Sequence, residues 1–414
     1  MFFESFVEHV ASLFSSLAPF IAFLLLIIYL DKQNIKVEHK VILIRKFKKG
    51  VNLLEKLAKP KIFWKFYSTL AIPVCLLFSI LVTYILLDYT LLLVRNPELP
   101  PGVVPVIPGT KIPGTDVYIP VLYGILAIAI TALVHEVAHG VVARCEGIKV
   151  KSFGYFIALI IPGAFVEPDE SSLRNARTLS RIRVYSVGSF TNIIVGLVAA
   201  AAAAFLIASY LTPKFPNIYI TNVTNNSPAE KAGLKAEMAI AYMDDQKIMC
   251  FEDIGKILHN KKPNDTLIVE DAEGRKFRLI LEKNLKTNST YMGIYIVERS
   301  PCIKDWKIAF LGLNLIVGNP LTFLKIINEK NYNADFDPII WPAIYLLLWL
   351  SFFNFAIGLV NLLPFLPADG GLIVKDLFPS LKEKQRRGIA LAITFLIITI
   401  LLLNILVPLI RKVI

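Results

Sequence analysis

Long apolar runs are the sequence feature that most constrains the fold of this chain. A helix needs about 20 predominantly apolar residues to cross a membrane. The 414-residue sequence is 55% hydrophobic and holds six runs of roughly that length. They are residues 11–30, 67–94, 119–143, 184–211, 340–361 and 388–410. The sequence therefore predicts a polytopic α-helical membrane protein with about six spans, the first of them retained because no basic segment precedes it as in a signal peptide.

Charge is concentrated in one segment and predicts the orientation of the spans. Residues 31–65 contain eleven Lys and Arg against three acidic side chains, which supplies +8 of the formal +12. A basic loop beside a span is typical of the cytoplasmic face, and its expected partner is the lipid bilayer rather than nucleic acid. With this loop inside, residues 213–300 fall outside, and the basic residues of 375–387 return inside if 306–327 does not span.

Residues 213–300 differ in kind from the apolar remainder. Charged and turn residues increase there, and alternating side chains across 218–223 indicate a strand. Ser227 followed by Pro228 is typical of a helix start, and Gly233 can end that helix. This segment is predicted to be a small, mixed α/β soluble domain inserted between spans.

The patterns together divide the chain into five parts. Two parts flank the inserted domain as halves of a membrane core, and a two-span module with the basic loop precedes them. The parts are 1–118 (two-span module), 119–212 (first half of the core), 213–300 (inserted domain), 301–338 (interfacial or re-entrant segment) and 339–414 (second half of the core).

The four cysteines are scattered along the chain and form no CxxC pair. Cys75 and Cys145 lie in or beside predicted spans, whereas Cys250 and Cys302 do not. We therefore expect four free structural thiols, with neither a disulfide framework nor a cysteine-ligated zinc site.

The motif His135-Glu136-Val137-Ala138-His139 lies inside an apolar run. Residues four apart share a helix face, so the two imidazoles can bind one Zn²⁺ while Glu136 takes a proton from the attacking water. Ionisable side chains in a span are costly and usually functional. The alternative is a pair of hydrogen-bonded histidines and a buried glutamate that stabilise the helix bundle.

A catalytic zinc usually has three protein ligands and one open position. None of the other three histidines is placed to reach the inner end of the third span. Asp369 is placed to do so, because it follows the fifth span after Pro364 and Pro367 break the helix. His135, His139 and Asp369 are therefore the predicted metal ligands.

The paired motif resembles that of the site-2 protease family of intramembrane metalloproteases. It consists of the His-Glu-x-x-His segment 135–139 and the segment Asn361-x-x-Pro364-x-x-x-x-Asp369-Gly370. The resemblance covers residues from about 119 to 414. It implies one Zn²⁺ per chain with Asp369 as third ligand, Glu136 as general base, and hydrolysis of a peptide bond within a transmembrane segment of a membrane-protein substrate, as in regulated intramembrane proteolysis.

The resemblance also suggests substrate-binding roles for three asparagines. The family-like Gly188-x-x-x-Asn192 implies that Asn192 faces the site and stabilises the oxyanion or binds the substrate backbone; Ser189 stands where some relatives have proline. Asn354 and Asn361 are seven residues apart and share a helix face, so both could hold substrate backbone. For all three, the alternative is an interhelical hydrogen bond that packs the bundle.

Two further segments resemble parts of the same family. Residues 154–170 correspond to a hairpin or re-entrant loop beside the active site, whose strand edge could hold the substrate by β-pairing; the alternative is a simple interfacial loop. Residues 213–300 resemble a PDZ domain, which implies a substrate filter or a spacer, although Glu237-Met238 replaces the usual Gly-Asp.

Two other functions compete with proteolysis. A non-catalytic membrane metal-binding or transport protein would need further ligands or an internal repeat, and the sequence shows neither. A degenerate relative acting as a receptor is disfavoured because Glu136 is intact. The sequence therefore favours a membrane zinc metalloendopeptidase, with its active site toward the cytoplasm and its PDZ-like domain outside.

Overall fold

The computed structural model describes most of the chain. The described residues are 24–38, 42–47, 51–96, 98–113, 117–158, 161–283, 290–300 and 329–411, with the single residues 18, 21, 22, 115, 302 and 327. They fall into two compact units. One is made of residues 1–200 and 346–414, and the other of residues 201–345.

The helices follow the apolar runs of the sequence, because a helix satisfies its own backbone hydrogen bonds where water is absent. In chain order the described helices are α1 (Val51–Leu57), α2 (Lys61–Arg95), α3 (Val121–Cys145), α4 (Glu170–Asn175), α5 (Thr178–Tyr210), α6 (Pro228–Ala232), α7 (Phe251–His259), α8 (Asp337–Leu362), α9 (Asp369–Asp376) and α10 (Glu383–Arg411). Residues 24–31 are also helical.

The strands lie between these helices and mostly within two sheets. In chain order they are β1 (Lys36–Glu38), β2 (Ile42–Phe47), β3 (Val150–Ala158), β4 (Ile161–Pro168), β5 (Leu211–Pro213), β6 (Ile218–Val223), β7 (Ala239–Met243), β8 (Gln246–Lys247), β9 (Thr266–Asp271), β10 (Lys276–Ile280), β11 (Glu282–Lys283), β12 (Thr290–Tyr291), β13 (Ile294–Glu298) and β14 (Tyr332–Ala334).

Five described helices are long and apolar enough to cross a membrane. They are α2, α3, α5, α8 and residues 383–408 of α10. They coincide with the second to sixth predicted spans, which confirms the polytopic helical class. The first predicted span, 11–30, lies largely outside the described residues, and so does most of the segment 306–327.

Helix α2 packs onto α5 and α9, two helices that carry predicted site residues. Ala71 and Cys75 of α2 are buried against Phe190 of α5 and Ile373 of α9. The hydroxyl of Tyr67 also donates to Thr191 Oγ1 at 3.2 Å. Helix α2 of the predicted two-span module is therefore part of the same bundle.

A four-stranded antiparallel sheet in this unit has the order β1-β2-β3-β4. The hairpin of β3 and β4 confirms the hairpin expected within residues 154–170. The sequence did not predict β1 and β2, which lie in the basic segment 31–65 and extend that hairpin by pairing with β3. Asp31 joins the strands, because its Oδ2 accepts from Arg45 Nε at 2.8 Å and from the Tyr155 hydroxyl at 3.0 Å.

The second unit contains the predicted mixed α/β domain. Its main sheet has the order β10-β9-β7-β6-β13, with β8 beside β7, and it encloses a core of Ile, Leu, Val and Met side chains together with α6 and α7. The predicted helix start and stop are confirmed at α6. The Ser227 side chain accepts from the N–H of Glu230, and Gly233 ends the helix at a φ of 91°.

The expectation of four free thiols is wrong for two of the cysteines. Cys250 and Cys302 form a disulfide with a Cα–Cα distance of 5.7 Å, whereas Cys75 and Cys145 are free and buried. The two bonded residues are 52 positions apart in the sequence. Folding of the inserted domain brings the start of α7 beside the end of β13, and no local spacing rule reports such an encounter.

Candidate metal centre

The two histidines of the motif project from one face of α3, as the helical period requires. His135 and His139 turn their Nε2 atoms toward each other, 3.0 Å apart. His135 is buried, and the side chain of His139 is only 14% exposed. Two imidazoles with facing lone-pair nitrogens form one side of a metal site.

Asp369 completes a three-sided set. Its Oδ2 lies 3.4 Å from His135 Nε2 and its Oδ1 lies 3.4 Å from His139 Nε2. One ligand atom from each of the three residues falls within 4.8 Å of the others. A tetrahedral zinc with bonds of about 2.05 Å separates its ligand atoms by about 3.3 Å, so the spacing and the His-His-carboxylate donor set fit this ion.

The turn between α8 and α9 brings Asp369 to the histidines. Asp369 is the first residue of α9, and it is buried. A Cβ placed on Gly370 or Gly371 would collide with backbone atoms of Leu362 and Leu363 or of Phe365. Both glycines therefore allow α9 to fold back closely over the end of α8.

The far end of α9 is held by charge. Asp376 is buried and binds Arg181 Nε of α5 at 2.6 Å and Arg386 Nη1 of α10 at 3.1 Å. Removing one member of a buried ion pair typically costs about 3–5 kcal/mol, so this contact fixes the short helix that carries Asp369. The basic segment 375–387 served only to predict orientation from the sequence. Asp376 within that segment was the overlooked indication of an ion pair.

One face of α5 contacts all three predicted ligands. His139 Nδ1 lies 2.6 Å from the carbonyl oxygen of Val184, and Ser189 Oγ donates to Asp369 Oδ2 at 2.9 Å. Gly188 leaves room for the rings, since a Cβ there would stand 2.8 Å from His135 Cε1. Sequence reasoning missed Ser189 and Val184, although a hydroxyl inside the Gly188-x-x-x-Asn192 motif was a usable signal.

Glu136 points to the four-stranded sheet β1-β2-β3-β4, which we call the active-site sheet. Its Oε2 accepts from the backbone N–H of Val166 in β4 at 2.6 Å. Glu167, the next residue of β4, accepts from Ser152 Oγ and from Lys46 Nζ at 3.2 Å. The hydroxyl of Ser152 and then the ammonium of Lys46 hold the pKa of the Glu167 carboxyl below its usual range. Glu167 is therefore paired within the sheet.

The three predicted substrate asparagines occupy different positions. Asn192 is fully buried beside His135, with its Nδ2 3.1 Å from His135 Nδ1. Asn354 is fully buried and donates to Thr131 Oγ1 of α3 at 2.8 Å, which is the geometry of the helix-packing alternative. Asn361, near the end of α8, is partly exposed.

The spanning helices and this buried cluster together define a polytopic membrane metallopeptidase. Comparison with known families agrees with that class. The model of peptidase family M50 matches residues 123–403. The match covers more than half of the chain, and the protein belongs to peptidase family M50.

Individual relatives extend the match beyond the motifs. An uncharacterized protein of Methanocaldococcus jannaschii is 29% identical over 367 residues, which cover 87% of this chain and 84% of that protein. A putative zinc metalloprotease of Clostridium perfringens is 25% identical over 309 residues, covering 64% and 89%. A membrane-bound transcription factor site-2 protease homologue of Arabidopsis thaliana is 29% identical over 111 residues, covering 26% and 21%. The resemblance to the site-2 protease family is thereby confirmed.

Solved structures also include chains that resemble part of this protein. The PDZ domain of an SdrC-like protein from Listeria monocytogenes pairs with 20% of this chain and 90% of its own length, at 22% sequence identity and a TM-score of 0.19.

The ligand set predicts how zinc content responds to substitution. In Asp369→Ala the third ligand is lost, and we expect the affinity for zinc to fall more than 100-fold, beyond the loss of about 10–100-fold typical of outer-shell partners. Zinc is measured in the purified full-length protein after dialysis against a graded series of chelator concentrations. Asp337→Ala, at an exposed aspartate that begins α8, is the control and should retain wild-type zinc. Full zinc occupancy in Asp369→Ala would remove Asp369 from the ligand set.

Proposed function

We propose that this membrane metallopeptidase hydrolyses a peptide bond within the transmembrane segment of a membrane-protein substrate. One observation carries the proposal: His135, Glu136 and His139 lie within the 25-residue apolar helix α3, and the buried Asp369 of α9 lies beside the two histidines. A peptide bond has to enter the apolar layer to reach these side chains. The printed names of two relatives, a site-2 protease homologue and a putative zinc metalloprotease, agree with this reaction.

The chemistry is divided between the metal ligands and the neighbouring glutamate. His135, His139 and Asp369 would hold one Zn²⁺. When bound, this ion supplies a Lewis acid that polarises the substrate carbonyl and makes water a stronger nucleophile. Glu136 accepts a proton from the attacking water and delivers it to the leaving amine nitrogen. The N–H of Val166 fixes Oε2 of this carboxylate, and Oε1, to which no hydrogen bond from the described residues is assigned, can take the proton.

The outer edge of β4 is suited to holding the substrate in extended form. A helical substrate hides its carbonyls in its own hydrogen bonds and has to unwind before hydrolysis. Alternate N–H groups of a strand point to the same edge, so the N–H of Ala164 points in the same direction as that of Val166. Because β4 ends the sheet and β2 covers the far side of β3, strand addition on β4 would place a peptide beside Glu136.

An apolar cavity lies next to this edge. It has a volume of about 340 Å³ and is lined by the sheet, by α3 and by residues Leu24 and Ile27 of the N-terminal helical segment. Ala132 of α3 lines it one helical turn before Glu136, and Ala164 of β4 lines it two residues before Val166. Its lining suits the apolar side chains of a transmembrane segment and excludes charged ones.

The proposed orientation has the active site toward the cytoplasm and the inserted domain outside. The basic segment 31–65 supports this side for the active-site sheet. The disulfide between Cys250 and Cys302 supports an oxidising compartment for the inserted domain. We place the PDZ-like domain there as a filter that admits substrates already shortened outside the membrane.

Glu136→Gln tests the reaction itself. Because the amide cannot accept the proton of water, cleavage of a single-span substrate in detergent or vesicles should fall about 10²–10⁴-fold. Zinc content should be unchanged, since Glu136 is not a predicted ligand. Glu170→Gln, at an exposed glutamate that begins α4, should cleave like the wild type. If wild type and Glu136→Gln leave the substrate equally uncut with metal bound, the protein is a metal-binding membrane protein without this activity.

Ala132→Phe tests the cavity as the place for substrate side chains. The added ring fills space beside Glu136, so a substrate with Leu or Phe next to the cleaved bond should be cut about tenfold more slowly. This corresponds to a loss of about 1.4 kcal/mol in transition-state binding. A substrate with Ala there should be cut at the wild-type rate. Leu126→Phe, at an exposed position of the same helix outside the cavity, is the control. Equal slowing of both substrates by Ala132→Phe would contradict this role.

The disulfide allows the orientation to be measured. In sealed right-side-out vesicles, a membrane-impermeant maleimide should label two cysteines after an impermeant phosphine has reduced the disulfide, and none before. Cys75 and Cys145 are buried and should stay unlabelled. A Cys250→Ser, Cys302→Ser double variant is the control without signal. Labelling that requires detergent as well as reductant would place the inserted domain in the cytoplasm.

A further inference from the structure

The imidazole of His135 is held on both of its nitrogens. Its Nε2 faces His139 Nε2 at 3.0 Å and Asp369 Oδ2 at 3.4 Å. Its Nδ1 lies 3.1 Å from the carboxamide of Asn192, a fully buried residue of α5. Asn192 is therefore the outer partner of a predicted metal ligand, on the side of the ring that faces away from the other two ligands.

The chemistry of a ligating histidine determines which atom Asn192 must offer. A histidine that binds a metal through Nε2 carries its hydrogen on Nδ1, which then needs an acceptor. The structure has Asn192 Nδ2 facing the ring, and Asn192 Oδ1 is a buried atom for which the described residues supply no hydrogen-bond partner. A 180° turn of the carboxamide exchanges the two atoms, so that Oδ1 accepts from Nδ1–H and its lack of a partner is resolved.

The other two ligands have comparable partners on the same helix. The carbonyl of Val184 lies 2.6 Å from His139 Nδ1, and Ser189 Oγ donates to Asp369 Oδ2 at 2.9 Å. With Asn192, one helix supplies an outer hydrogen-bond partner for each member of the set. The base of the Asn192 side chain also lies close to α8, because a Cβ on Gly358 would stand only 3.1 Å from Asn192 Cβ. This packing limits the movement of the side chain.

We propose that Asn192 is a positioning residue of the metal centre, whose Oδ1 accepts from Nδ1–H of His135 and so fixes the tautomer and the ring orientation that direct Nε2 to the metal. The proposal rests on the ligand assignment of the proposed function. It gives Asn192 a task different from the contact with substrate that the family resemblance suggested, because one atom of the carboxamide already bonds the histidine.

Three variants of the full-length protein in detergent test this role by zinc affinity, measured by competition with a chelator. Asn192→Leu keeps the approximate size of the side chain but removes the acceptor, and its zinc affinity should fall about 10–100-fold. Asn192→Asp keeps an acceptor oxygen and loses the amide donor, and its affinity should stay within about threefold of the wild type. Asn354→Leu removes a buried asparagine that contacts Thr131 rather than a ligand, so it should lower the thermal unfolding temperature without changing zinc affinity.

The outcomes separate this role from the alternatives. Wild-type zinc affinity in a folded Asn192→Leu that has lost protease activity would overturn the proposal and favour direct contact with substrate. A folded Asn192→Asp that loses zinc as strongly as the leucine variant would also overturn it, and this variant remains decisive if Asn192→Leu does not fold. Failure of the proposed protease activity would give a different result: the wild-type protein would bind zinc and leave the substrate uncut.

Discussion

The structure depends on one constraint: ionisable side chains inside an apolar helix bundle have to be satisfied by other groups of the protein. His135, His139 and Asp369 are brought within 4.8 Å of one another, where water cannot solvate them freely. Helix α5 supplies a hydrogen-bond partner for each of them. The carboxamide of Asn192 contacts His135, the carbonyl of Val184 contacts His139, and the hydroxyl of Ser189 donates to Asp369. An unpartnered polar group would destabilise the bundle at this depth. The packing of α5 against α3 therefore also determines the geometry of the site.

Asp369, the third predicted ligand, shows how the backbone brings a carboxylate to this depth. Asp369 belongs to a helix of eight residues that starts at the metal centre and ends at Asp376. Two arginines from different spanning helices hold Asp376, and two adjacent glycines let the start of the helix approach the end of α8. Because both ends of this short helix are fixed, the Asp369 carboxylate has little freedom to move. A metal site that keeps one position open for a reacting molecule needs its other ligands held in this way.

The active-site sheet connects the N-terminal segment to the chemistry. Strands β1 and β2 extend the hairpin whose last strand contacts Glu136, and Asp31 links β2 to β3 through Arg45 and Tyr155. Covering one side of the hairpin leaves β4 as its available edge, next to both Glu136 and the apolar cavity. The first part of the chain thus shapes the surface that a substrate would meet.

The sequence by itself determined what local periodicity and chain propensity can encode. Apolar runs of about 20 residues gave the spanning helices, the spacing of four put His135 and His139 on one face, and Ser227 with Gly233 gave the bounds of a short helix. Asp369 was found because few other ligand types stood at a suitable depth. Only the tertiary structure decided which neighbours these residues meet. The disulfide of Cys250 with Cys302, the pairing of β2 with β3, the contact of Asn192 with His135 and the burial of Asn354 against Thr131 join segments between 52 and 223 residues apart. Such contacts follow from the packing of whole helices and strands, and no local pattern of residues reports them.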